Sequence, residues 1–382
     1  MRKIRNRYFI LFIASMVNFV HGNPYIWTVF QPYVKAEYDL SVAASSQPFT
    51  IIIGIFAIGN IIGGYLQHKI GAKWTILWGS FVMCIGFFLA AIAPHNMPWL
   101  ISAGYGALGG LGSGCAFSML VAVPQAWFPD KRGLVTGITI GVVGISGIIM
   151  NPLCDFVLSV HGYRYAMIMI TMIYAVLSLG AFLIEEAPEV KVCENQEVNH
   201  GKQYTTEEMV KTRTFYIISL VMALVVPAYV FVNPLMKSLG MERGLTNSQA
   251  LLGVMVASFA NIIGRFVAPW ISDKIGCKKI MQIMYILAAA SVFGLISAKG
   301  ILFVTFISLV CMVYGGMVSV SPVWVAQNFG MKFQGMNYGV ALMGYGIVSI
   351  LCPYLLEITG QTTSFIIAGI CSLVGVIIMR KI

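Results

Sequence analysis

Apolar stretches separated by short polar breaks recur along this chain at approximately 8–32, 48–67, 75–94, 99–122, 133–158 and 164–184. A polar segment from Glu185 to Arg213 follows, holding Glu185, Glu186, Glu189, Glu194, Glu197, Glu207 and Glu208. Six further apolar stretches occupy approximately 214–237, 248–271, 279–298, 300–326, 335–356 and 362–379. A helix crosses a bilayer in about 20 apolar residues, so each stretch is long enough to span. The pattern predicts an all-α polytopic membrane protein with six spans over residues 1–184, a cytoplasmic linker at 185–213 and six spans over 214–382.

Composition agrees. Hydrophobic residues are 58% of the 382 and charged ones 10%, where a soluble domain carries roughly a quarter charged residues. The formal net charge of +10 is explained by topology, without a nucleic-acid partner. With a cytoplasmic N-terminus, 18 of the 24 Lys and Arg fall on inside segments and five outside, namely Lys35, Arg164, Lys237, Arg243 and Lys299. This is the positive-inside bias, and a wrong span count would scramble it. Arg2, Lys3, Arg5 and Arg7 precede the first run in the manner of a signal peptide, but Asn18, His21 and the absence of a small-residue cleavage site mark a retained helix. The expected location is the cell membrane, with both termini cytoplasmic. The eight cysteines lie singly, mostly inside apolar runs, and read as packed thiols.

The two halves repeat. Lys69-Ile-Gly-Ala-Lys73 recurs as Lys274-Ile-Gly-Cys-Lys278, and Phe128, Lys131 and Pro152 recur as Phe329, Lys332 and Pro353. Duplicated bundles around a midplane site suit a carrier that rocks its halves. Gly106, Gly110 and Gly114, and Gly133, Gly137 and Gly141, fall at every fourth residue, the spacing of close helix crossings.

The loop Gly64-Tyr-Leu-Gln-His-Lys-Ile-Gly-Ala-Lys73 and its second copy Ser272-Asp273-Lys274-Ile-Gly276-Cys-Lys278 resemble the signature of the major facilitator superfamily. The first copy lacks the usual acid; the second keeps it, and the resemblance implies that Asp273 and Lys274 latch one conformation. Three stretches resemble the oxalate/formate antiporter and monocarboxylate porter branch. They are His21-Gly-Asn-Pro-Tyr-Ile-Trp-Thr-Val-Phe30, Trp127-Phe-Pro-Asp-Lys-Arg-Gly133 with Thr136-Gly137, and Asn261-Ile-Ile-Gly-Arg265. The implied fold is two pseudo-symmetric six-helix bundles.

Arg265 stands in the middle of an apolar span, where an unpaired cation costs at least ~2.5–3.5 kcal/mol. Positions 261 and 269, one turn away, are Asn and Pro. The missing counter-ion then points to an anionic substrate, since a guanidinium fork binds a carboxylate through two hydrogen bonds. The competing reading has Arg265 snorkelling towards Asp273, about 12 Å along the axis. Proton-coupled relatives carry an aspartate where Asn261 stands, which favours exchange or facilitated flux; His21 is either a titrating group or a structural hydrogen bonder. Oxalate transporters of the branch carry a second cation, a lysine, where Tyr345 stands. With one buried cation, a monoanion such as formate, lactate or pyruvate fits the charge balance. The resemblance also brings Tyr25, Gln47 and Tyr314 to the anion, and Trp324 is a further aromatic candidate. Asp155 and Glu357 read as rim charges.

No Walker loop, GxSxG or HExxH motif occurs, so the sequence implies no enzyme, cofactor or bound metal. The expectation is a monomeric carrier in the lipid bilayer for a small organic anion. The alternatives are an oxalate/formate-type dicarboxylate antiporter, a proton-coupled carrier of another solute, or a receptor built on a carrier fold.

Overall fold

The computed structural model describes residues 6–128, 132–185, 203–330 and 333–381. Ten of its helices are long and apolar enough to cross a membrane. The spans α1 (Arg7–Glu37), α2 (Val42–Gln67), α3 (Lys69–Ala91) and α4 (Trp99–Trp127) come first. The next helix, Arg132–Ser178, turns back at Gly162 (φ 81°), giving α5 (132–161) and α6 (163–178), the latter extended by a 3-10 turn at Leu179–Leu183. Then come α7 (Arg213–Glu242), α8 (Asn247–Ile275), α9 (Cys277–Leu295) and α10 (Gly300–Phe329). The last long helix turns back at Gly360 (φ 75°), so α11 (334–359) and α12 (361–379) complete twelve crossings. Their exposed faces are apolar, as at Phe81, Phe156 and Ile358, which is what a lipid-facing surface requires.

The internal repeat is written into the backbone. Gly71 and Gly276, the third residues of the two Lys-Ile-Gly motifs, take φ 80° and 88° at the α2–α3 and α8–α9 turns. Gly162 and Gly360 do the same at the α5–α6 and α11–α12 turns. A side chain is disfavoured at such φ values, so glycine fixes these reversals. Asp130, Lys131, Lys332, Cys193 and most of the linker (186–202) lie outside the described residues. Within the linker's described end, Thr205 caps a short helix, Thr206–Val210, through a reciprocal capping box with Glu208.

Close crossings hold each half together. Gly59 packs on the α4 backbone at Leu111 and Gly114, and Gly264 packs on the α10 backbone at Met312 and Gly316. Gly106, Gly110 and Gly114, the spaced series of α4, lie against α2 at Ile51, Ile52 and Phe56–Asn60. Between the halves, Gly137 and Gly141 of α5 meet the Phe266 ring of α8, Gly144 meets Ile262, and Gly147 meets Ser258. α2 and α11 form the other seam, where Gly54 faces Gly346 and Ile350.

Two spans are discontinuous. α1 passes through a 3-10 segment, Phe19–Ile26, around Pro24, and α7 is interrupted at Val225 before Pro227. Proline removes a donor and clashes with the preceding turn, so carbonyls lose their helical partners. They find others: the Tyr105 hydroxyl donates to Asn23 O at 2.5 Å, and the Tyr285 hydroxyl donates to Val221 O.

The α8–α10 crossing yields a prediction. A side chain at 264 must enter backbone, so Gly264→Leu should lower stability by about 1–3 kcal/mol through overpacking. Gly64, with nothing within 4 Å of an added Cβ, should accept alanine without loss. Melting temperatures of the purified variants in detergent check this; equal falls would refute it.

Candidate functional site

Gly264 presses one side of α8 onto α10, which leaves Arg265 rotated about 100° round the helix, facing α5 and α1. Its exposure is 3%. Nε donates to Asn261 Oδ1 at 2.9 Å, Nη1 to Ile140 O of α5 at 3.3 Å, and Nη2 to the Tyr25 hydroxyl of α1. The guanidinium carbon lies 5.6 Å from the centre of the Tyr25 ring. Three of five N–H donors are thus engaged, all by neutral acceptors. The positive charge is oriented but not neutralised.

Each partner is itself held. The Asn261 amide donates to Cys311 O of α10 at 2.9 Å, which turns its oxygen towards Arg265. Tyr25 follows Pro24 in the irregular segment of α1, so its side chain is aimed by the break rather than by a regular helical turn. Its Cβ lies opposite Gly147 of α5, where an added Cβ would approach it to 3.2 Å.

An aromatic cluster adjoins this cation. The Tyr314 hydroxyl of α10 pairs with the Tyr345 hydroxyl of α11 at 2.7 Å. The Tyr314 ring stacks on Tyr229 of α7, with centroids 3.5 Å apart and planes 3° from parallel. Tyr338 and Tyr345 of α11 lie within electrostatic reach of Arg265, and Tyr229 within reach of Tyr25. The Tyr229 hydroxyl is buried without a hydrogen-bond partner.

The structure therefore brings Arg265, Asn261 and Tyr25 into contact and sets Tyr314 and Tyr345 beside them. His21, four residues before Tyr25, is 4% exposed and neither ring nitrogen has a partner. Gln47 is placed elsewhere: it lies in the second turn of α2 and donates to the Tyr354 hydroxyl of α11 at 2.8 Å. Taking the starts of α2 and α8 as level, it stands roughly 20 Å in depth from Arg265 at 1.5 Å per residue. Trp324 is buried on α10, ten residues and about 15 Å beyond Tyr314. Asp273 is exposed, and Lys274 lies over the Trp270 ring of its own helix, 3.7 Å from its centre, so among the described residues neither bridges two helices in this conformation. Asp155 is not a rim charge. It is 7% exposed and paired with Lys237, itself 1% exposed, because each supplies the counter-charge that burial demands. Glu357 is exposed.

Tyr229 and Tyr338 escaped the sequence reading. Tyr229 was within reach of it: Pro227-Ala-Tyr229 falls in α7 where the repeat offset places Pro24-Tyr25 of α1.

The model of the Major Facilitator Superfamily matches residues 8–353. The chain belongs to this superfamily. It is a multi-pass membrane transporter, not an enzyme. It is 26% identical over 350 residues to an uncharacterized MFS-type transporter, YhjX, of Escherichia coli, covering 91% of this chain and 86% of that protein. It is 26% identical over 393 residues to the oxalate:formate antiporter of Oxalobacter formigenes, covering 97% and 90%. The partially occluded inward-open form of the xylose transporter XylE from E. coli superposes with a TM-score of 0.76 over 99% of both chains at 15% identity. That likeness speaks for the major facilitator fold alone.

The contact between Tyr25 and Arg265 can be measured. Tyr25→Phe keeps the ring and removes the acceptor, and Arg265→Met removes the charge. A double-mutant cycle on thermal stability should give a coupling of about 1.5–3 kcal/mol, the range for hydrogen bonds to charged groups. Additive losses would refute the bond.

Proposed function

We propose that this transporter carries small organic monoanions such as formate, lactate or pyruvate by alternating access, with Arg265 as the cation that receives the carboxylate. One observation carries this reading: Arg265 is buried in the middle of α8 and held by three neutral acceptors. A buried charge without a counter-charge is costly, and a bound carboxylate removes that cost. Tyr25, Asn261, Tyr314 and Tyr345 then shape the site, and His21 borders it on α1. Asn261 in place of an acid favours anion exchange or facilitated flux over proton coupling.

The similarity to an oxalate:formate antiporter over nearly the whole chain supports a second reading, dicarboxylate exchange. The charge count opposes it. Tyr345 contributes a hydroxyl, already bonded to Tyr314, and Lys237 is already neutralised by Asp155. Among the described residues buried within the spans, a dianion would meet Arg265 as the one positive charge without a carboxylate partner. The same reading places the termini on the cytoplasmic side of the cell membrane and divides the monomeric chain into bundles at 1–184 and 214–382 joined by the linker at 185–213. It also assigns the Asp273–Lys274 latch to a conformation other than the present one.

Proteoliposomes loaded with unlabelled anion should take up labelled formate, lactate or pyruvate, and Arg265→Lys should cut uptake at least about tenfold, since an ammonium lacks the planar fork. Normal uptake by Arg265→Lys, or stimulation by trapped oxalate above all monoanions, would overturn the proposal. Asn261→Asp tests the neutral shell separately. The new carboxylate competes with cargo for Arg265 and can no longer donate to Cys311 O, so the apparent KM should rise roughly tenfold, the equivalent of about 1.4 kcal/mol. An unchanged KM would count against Arg265 as the cargo's partner.

A further inference from the structure

The face opposite the start of α1 is closed by polar contacts that the anion site does not use. Asp155 lies near the end of α5 and Lys237 near the end of α7, and their carboxylate–ammonium pair is buried. The Lys237 nitrogen also stands 5.1 Å from the centre of the Tyr33 ring of α1. α1 and α5 belong to the first half and α7 to the second, so the pair crosses the boundary between halves. Gln47 of α2 and Tyr354 of α11 cross that boundary at the same face, at 2.8 Å.

We propose that Asp155 and Lys237, with Tyr33 as a wall around the cation, are the gate of this face: the pair separates when the face opens and reforms when it closes. A buried ion pair gains little net stability, because the attraction between its charges is offset by the water both have lost. Once apart and hydrated, the same charges regain that water. The closed and open states therefore lie close in free energy, as a carrier needs, whereas an apolar plug of equal area would favour closure alone. Two further groups behave as a hydratable gate requires. Asn151 and Asn233, four residues before Asp155 and Lys237, are buried with side-chain amides lacking any hydrogen-bond partner, and water admitted by opening would satisfy them. The repeat offers no second copy: Glu357, in the corresponding part of α11, is exposed.

This inference rests on alternating access and not on the chemistry of the cargo. Its test uses no cargo, so its failure is distinct from failure of the uptake experiments. A cysteine is placed at Asn151, between gate and anion site, and another, in a separate protein, at Ser321 of α10, two turns from the opposite end. Each is labelled by a charged maleimide in detergent, with the parent protein as baseline. Single neutralisations leave one buried charge unpaired, so the gate variant is the double Asp155→Asn/Lys237→Met, accepted only if it elutes as a single species. In it, labelling at position 151 should fall roughly tenfold, the change expected if replacing charges that regain water on opening by groups that do not moves the open–closed balance one decade towards closed. Labelling at 321 should not fall. The reversed pair, Asp155→Lys/Lys237→Asp, should return labelling at 151 towards the parent rate. Unchanged or increased labelling at 151, an equal fall at both positions, or a reversed pair as unreactive as the neutral one would each overturn the proposal.

Discussion

One constraint organises this molecule: hydrocarbon offers no hydrogen bonds, so a polar group within the spans is costly wherever neither protein nor admitted water partners it. The breaks in α1 and α7 free backbone carbonyls, and Tyr105 and Tyr285 supply donors to Asn23 and Val221. Asp155 and Lys237 answer each other. Arg265 is the case in which the constraint is met for hydrogen bonds and left open for charge. Its fork is held by α1, α5 and its own helix, so the two halves close around an orientated cation that no carboxylate among the described residues neutralises.

That arrangement is asymmetric within a duplicated frame. Gly59-Asn60 of α2 corresponds to Gly264-Arg265 of α8: both glycines meet the backbone of the helix that follows by two, α4 or α10. Asn60 is buried and donates to Phe56 O of its own helix at 2.8 Å, whereas Arg265 reaches across to the other half. Both halves thus carry the same crossing, and the second sets a charge where the first has an amide. The aromatic pair Tyr25 and Tyr229 shows the opposite outcome, since both copies kept a buried tyrosine next to a proline-broken turn.

Much of this was legible in the sequence. Span lengths follow from bilayer thickness, the glycines of the Lys-Ile-Gly loops mark turns, and a lone Arg in an apolar run announces itself by its cost. The residues that sequence misplaced share a cause: their roles depend on depth and on which helix lies opposite. Gln47 and Trp324 carry suitable chemistry, but registers along α2 and α10 put them away from Arg265. Lys237 and Asp155 each sit near a span end, where sequence alone reads a rim charge; only the packing of α7 against α5 turns two edge charges into a buried pair. Tyr229 looks like an ordinary membrane tyrosine until its ring is found stacked on Tyr314.

The glycine seams differ in what they touch. Inside each half, Gly59, Gly63 and Gly264 meet backbone atoms of α4 or α10, while along α5–α8 Gly137, Gly141 and Gly144 meet the side chains of Phe266 and Ile262. Backbone against backbone has one tight setting and resists shear. A ring lying over a strip of bare glycine has no ridge to climb, and it can re-orient on the fast timescale of side chains while the helices creep on the slower one of domains. The α5–α8 contact is thus built as a lubricated bearing, whereas at the α2–α11 seam Gly54 meets the Gly346 backbone, so any rocking of the halves would meet its friction there.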